Sequence, residues 1–185
     1  MKTPEKRPRK TLGLLRHAKS DSDDLSLCDF DRGLNARGLR GAEVIGAHIR
    51  AHGIGWDLLI ASPAERVRKT IGAAELEVPI RWVERLYLAD RNALIETVRS
   101  IDGGAGAVIV AGHNPSLQEL IFELVAPEHE NELFDAAAEK YPTAAFAVLE
   151  LAIDRWADCA TGCGTLVHLA RPRDLDPALG PERVV

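Results

Sequence analysis

Long apolar runs are missing from this 185-residue sequence, and no stretch approaches the roughly 20 consecutive apolar residues of a membrane span. The basic start is followed only by Thr11–Leu15 before Arg16 interrupts, too short for the roughly 7–15-residue apolar segment of a signal peptide. Cysteine is scarce: Cys28, Cys159 and Cys163 form an odd set with no CxxC spacing, which excludes a disulfide framework and reads as reduced thiols in a cytoplasmic protein. A Cys159/Cys163 metal or redox pair is the alternative, although two thiols alone make a poor zinc site. An excess of positive charge is also lacking. The net charge of -5 argues against general nucleic-acid binding, so any anion site must be local. No internal repeat is present.

What the chain does have is a 46% hydrophobic composition, enough for one buried core at this length but short for two. Residues 1–10 read as a disordered basic tail, 11–175 as one domain, and 176–185 as a C-terminal tail. Within the domain, apolar runs alternate with helical patterns. Thr11–Arg16, Asp57–Ala61, Ile80–Val83, Ala107–Ala111, Ala144–Ile153 and Gly164–Ala170 read as strands. Asn35 can cap a helix that places Leu39, Ala42, Ile45 and Ile49 on one face and stops at Gly53. Ser62-Pro63 supplies an N-cap and a first-turn proline for a helix to about Glu77, Asn92–Ser100 reads as a third helix, and Pro115 opens another. The expected fold class is α/β, a three-layer α/β/α sandwich with a mainly parallel central sheet.

Three segments share one property: Arg16-His17, Ser62 through Arg66, and Gly112-His113 each lie where a core strand ends. In open parallel sheets the carboxyl ends of strands form the ligand crevice, so two arginines and two histidines can meet there. Guanidinium forks match phosphate oxygens, and a second imidazole can donate to the same oxyanion. Neutral imidazole is a competent nucleophile for phosphoryl transfer, and His17, directly after a buried strand and beside Arg16, is the candidate. No metal and no cofactor is required. Either Arg-His or Gly-His alone is weak; with Ser62-Pro63-x-x-Arg66 between them the pattern is specific. Arg68 and Lys69, further along the same helix, read as solvated. The glycines at 103, 104 and 106 precede a strand, whereas a dinucleotide fingerprint follows one, and they read as a turn.

The order Leu15-Arg16-His17-Ala18-Lys19-Ser20, Leu34-Asn35-Ala36-Arg37-Gly38, Ala61-Ser62-Pro63-Ala64-Glu65-Arg66 and Gly112-His113-Asn114-Pro115 resembles the histidine phosphatase superfamily, or phosphoglycerate mutase-like fold. More narrowly it is similar to the small SixA-type phosphohistidine phosphatases, through Leu86-Tyr87-Leu88-Ala89, Lys140-Tyr141-Pro142-Thr143-Ala144-Ala145 and Arg171-Pro172-Arg173-Asp174-Leu175. The resemblance spans about residues 11–175. It implies a transient phosphohistidine on His17, with Arg16, Arg66 and His113 binding the phosphoryl group and inorganic phosphate released.

Members that cleave phosphate esters need an acid for the departing alkoxide. Here Asn114 follows the second histidine and Leu88 stands where a carboxylate is expected; Glu84 and Asp90 flank that position. Imidazole is a far better leaving group, so the missing acid favours phosphohistidine on a partner protein, such as a phosphotransfer domain. The alternatives are a broad small-molecule or sugar-phosphate phosphatase and a non-catalytic phosphohistidine-binding module. Asp23 stands where the superfamily often has asparagine, six positions after the nucleophile; the Asp21–Asp24 loop reads as solvated. With no long insertion to form a lid, the site is expected to be open.

Overall fold

Strand β1 (Lys10–Arg16) sits in the middle of a six-stranded sheet with β2 (Leu58–Ala61), β3 (Ile80–Trp82), β4 (Ala107–Gly112), β5 (Phe146–Leu151) and β6 (Gly164–Ala170), ordered β3-β2-β4-β1-β5-β6. The protein is seen in a computed structural model that describes residues 10–23 and 25–180. The expected basic tail through residue 9, Asp24 and the last five residues lie outside the described residues. Strands β3, β2, β4 and β1 are parallel neighbours, and β5 runs antiparallel to both β1 and β6. The sheet is therefore mainly parallel, with one reversed strand.

Alternation along the strands divides the core in two. Leu12 and Leu14, Ile60, Val108 and Val110, and Ala147 and Leu149 face one side, packing on α3 (Arg91–Arg99), α4 (Ser116–Leu124) and α5 (Glu132–Glu139). Leu15, Leu59 and Ala61, Ile109 and Ala111, and Phe146 and Val148 face the other, under α1 (Ala36–Ala51) and α2 (Glu65–Ala74). Both faces of the central strands are covered, which is why these strands read as continuous apolar runs. The short α6 (Pro172–Leu175) packs on α1.

Several expected boundaries move for identifiable reasons. Lys10 belongs to β1 and not to a tail: it is buried, and its Nζ donates to the carbonyls of Gly103 and Ala105. Asn35 caps α1 as expected, accepting from the Gly38 N–H at 2.8 Å, but Leu39 is exposed while Ala42, Ile45 and Ile49 are buried. Ser62 does not cap α2; the helix starts at Glu65 after Ala64, which makes no side-chain cap, and ends at Ala74 because Glu75 turns left-handed. Helix α3 begins one residue early because Asp90 caps it, accepting from the Ala93 N–H at 2.8 Å. Helix α5, capped by Asn131, is not among the helices expected from the sequence. The described part of the C-terminal tail is anchored too: Arg37 donates to the carbonyls of Leu179 and Gly180.

Candidate active site

Parallel pairing of β2, β4 and β1 sets their carboxyl ends level, with Arg16 opposite Gly112 and Ala61 opposite Ala111. Each strand then releases its functional side chains at one edge. The His17 N–H donates to the Gly112 carbonyl and the His17 carbonyl accepts from the Ala144 N–H, which fixes the backbone of the residue after β1 on both sides. The following Ala18 N–H donates to Thr70 Oγ1, whose hydroxyl donates to the Arg66 carbonyl, tying the His17 loop to α2.

The imidazoles of His17 and His113 stand 5.1 Å apart, centroid to centroid, and Arg66 Nη2 lies 3.3 Å from His113 Nδ1. Arg16 acts electrostatically on both rings. The structure thus brings all four predicted site residues together. The hydrogen bonds also assign tautomers. His17 Nδ1 lies 2.8 Å from the Ala18 carbonyl, which can only accept, so Nδ1 carries the proton and Nε2 keeps its lone pair. Guanidinium can only donate, so His113 Nδ1 accepts from Arg66 and its Nε2–H donates to Ser62 Oγ at 2.8 Å. In this state the His113 proton is spent on Ser62, so a proton on Nδ1 is needed before that nitrogen can donate to an oxyanion.

Burial, followed by the nearby cations, pushes His17 down to about 4; burial, His17 and Arg66 push His113 down to about 3. Both rings are neutral at pH 7, as a nucleophilic imidazole must be. An NMR titration is expected to show their Cε1–H resonances almost unshifted from pH 7 down to about pH 5, instead of titrating around 6.5. The unfolded chain protonates these rings near 6.5 and the folded one only near 4 or below. Folding stability is therefore lost as pH falls through that interval.

Sequence reading missed three neighbours. Asp29, in a 3-10 turn over residues 29–31, accepts from Arg66 Nη2 at 3.0 Å and from the Tyr87 hydroxyl at 2.9 Å, while its carbonyl accepts from Arg66 Nη1 at 2.7 Å. Burial opposes its ionisation, but the hydrogen bonds from Tyr87 and Arg66 outweigh burial and hold the carboxyl below its ordinary range. Tyr141 offers its carbonyl to Arg16 Nη1 at 2.8 Å and to Asn114 Nδ2 at 3.1 Å. Tyr87 and Tyr141 stood in quoted motifs, but Asp29 looked like any loop carboxylate. Asp90 is committed to capping α3, Glu84 is exposed in a 3-10 turn, and Leu88 points to solvent. Arg68 is less free than expected, donating to the Pro63 carbonyl and lying 4.2 Å over the Trp82 ring; Lys69 pairs with Glu65 at 3.7 Å.

Asp29 accepts from both terminal nitrogens of Arg66, donors that a phosphate bound to that guanidinium would have to share. Asp29→Asn is expected to tighten inhibition by inorganic phosphate a few-fold, in keeping with about 1 kcal/mol for a partly exposed pair; weaker inhibition would show instead that the carboxylate is needed to aim Arg66.

Beside Arg16 opens a cavity of about 360 Å³ whose lining includes Lys19, Arg37, Lys140 and Arg173 and, among the described residues, no acidic side chain. No helix among the described residues is long and apolar enough to cross a membrane.

No protein-family model matches the chain. It is 34% identical over 160 residues to an uncharacterized protein of Mycobacterium tuberculosis, covering 86% of this chain and all of the relative. Its fold superposes on a proposed phosphohistidine phosphatase SixA from Nakamurella multipartitia with a TM-score of 0.79 and 28% identity, covering 88% of this chain and 96% of the other. A second such protein, from Agrobacterium tumefaciens, gives 0.74 and 26%, covering 88% and 98%. These likenesses agree with the motif order around His17 and His113: the chain belongs to the histidine phosphatase superfamily, has its SixA-type fold, and is a phosphohydrolase of that class.

Proposed function

We propose that the protein is a phosphohistidine phosphatase that works through His17 without a metal. The observation that carries this reading is the make-up of the site. It combines an imidazole with a free Nε2, two guanidinium groups and a second imidazole, and its carboxylate, Asp29, is held ionised and so cannot serve as an acid. His17 Nε2 attacks phosphorus, and the P–N bond to the substrate imidazole breaks as that ring leaves with a proton taken up on nitrogen. Water then attacks the phosphorus on His17, and inorganic phosphate departs. Arg16 and Arg66 hold the equatorial oxygens, where charge is spread in the transition state. Arg16 Nε, buried without a hydrogen-bond partner among the described residues, is a donor suited to such an oxygen. A bound dianion raises the proton affinity of His113, so the ring protonates at Nδ1 and adds a third donor.

The substrate is a phosphohistidine carried by a partner protein, as in a phosphotransfer domain, met in the cytoplasm, where the three free thiols stay reduced. The basic cavity beside Arg16 suits an acidic surface around that phosphohistidine. The deciding experiment compares rates on a phosphohistidine peptide and a phosphoserine peptide of the same sequence. The phosphohistidine peptide is expected to be hydrolysed faster. Faster phosphoserine hydrolysis would overturn the assignment in favour of a broad phosphatase, and binding without turnover would indicate a phosphohistidine-binding module.

A further inference from the structure

Three of the six histidines converge at the opposite end of α1 from His17. His48 and His52 stand one helical turn apart, on the last turn of α1 and at its C-cap, and His168 meets them from the edge strand β6. His48 Nε2 and His168 Nε2 are 2.8 Å apart, and the rings of His52 and His168 lie 4.2 Å centroid to centroid. One ring nitrogen of each of the three lies within 4.8 Å of the other two.

This spacing is close to a coordination sphere. Tetrahedral zinc with Zn–N bonds of about 2.0–2.1 Å holds its nitrogen ligands roughly 3.3 Å apart. The His48–His168 pair has to open by about half an ångström and the exposed His52 ring to move inward by at most about 1.5 Å, shifts of the size that side-chain rotation provides. The protonation state suits it as well. Burial and the two neighbouring rings push His168 down to about 4, and burial with His52 lowers His48, so lone pairs are available at neutral pH.

We propose that His48, His52 and His168 bind a divalent first-row transition metal of the zinc class, through three imidazoles and a water molecule. All-imidazole donors favour zinc, copper, nickel and cobalt over magnesium and calcium. The metal clamps the end of α1 to β6. At about 1.5 Å per residue, the 12 residues from Ala36 to His48 carry the site roughly 18 Å along the helix from its active-site end, so the ion acts on stability and not on phosphoryl transfer. The inference is independent of the substrate assigned to His17.

Cobalt titration of chelator-treated protein tests it. One equivalent of Co2+ should give the visible d–d bands of a four-coordinate site, and Zn2+ should abolish them. Zinc at about a hundredfold excess over its dissociation constant should raise Tm by roughly 5–10 °C. His52→Ala, at an exposed ring that the fold does not need, and the size-conserving His168→Gln should each weaken binding by more than the roughly tenfold lost with a single outer-shell partner. Both should leave phosphatase activity unchanged. His129→Ala and His17→Asn should bind as the parent does. Absence of the cobalt bands, or parental affinity in both His52→Ala and His168→Gln, would overturn the proposal. Loss of binding in His17→Asn alone would place the metal at the phosphatase site and overturn it equally.

Discussion

His17→Ala is expected to lower turnover by about a thousandfold or more and to remove the phosphoenzyme. In the proposed mechanism the variant lacks its nucleophile, whereas Arg16, Arg66 and His113 remain to bind phosphate. Affinity for inorganic phosphate should therefore change much less than turnover. Mixing the parent protein with a phosphohistidine substrate and quenching in alkali should trap phosphate on His17, and the variant should show none. Substantial activity in His17→Ala would remove the covalent route. His113 is the most plausible substitute, since it is the other imidazole beside Arg66, but its Nδ1 faces a guanidinium and its Nε2–H is bonded to Ser62. Neither nitrogen is a free lone pair of the kind His17 Nε2 presents.

That Arg16, His17, Arg66 and His113 would lie near one another was legible in the sequence because strand ends are legible. A run such as Ala107–Gly112 that is apolar at every position announces a strand covered on both faces, and the residue after it must stand at the sheet edge. What pairs with Arg66 was not legible. Asp29 reaches it from a short 3-10 turn 37 residues earlier, a placement set by tertiary packing of Phe30 on Tyr87 and not by any local pattern. The same limit explains α2. Ser62-Pro63 has the residues of a helix start, yet Ser62 is buried and bonded to His113, and the helix begins only after the chain has passed that contact. Helix α5 was not read because Glu132–Glu139 is only about two turns long, too short a window for an apolar period to declare itself. The histidines at 48, 52 and 168 were overlooked for a related reason. Two of them lie one helical turn apart, but the third arrives from β6, more than a hundred residues later.

Gly46→Ala is expected to destabilise the fold, although helix propensity alone points the other way. In the interior of α1 alanine is worth up to about 1 kcal/mol over glycine. Here, however, α1 crosses α2 so closely that a Cβ at position 46 would meet the carbonyl oxygen of Ala74 at 2.2 Å and its Cα at 2.3 Å. Those are backbone atoms and cannot rotate away, so the two helices must separate. Overpacking of this kind costs about 3 kcal/mol or more, which outweighs the propensity gain. The net loss of about 2 kcal/mol should lower Tm by roughly 4–8 °C. Gly72→Ala supplies the contrast. It sits within α2, and a Cβ there meets nothing within 4 Å, so the same substitution should leave Tm unchanged or raise it. The crossing bears on function as well, because α2 carries Arg66 and, through Thr70, holds the backbone of Ala18 beside the nucleophile. Gly46→Ala should therefore lower turnover together with Tm, whereas Gly72→Ala should leave turnover intact. If Gly46→Ala raised Tm, the close approach of the helices would be wrong, and with it this account of how α2 is held against the His17 loop.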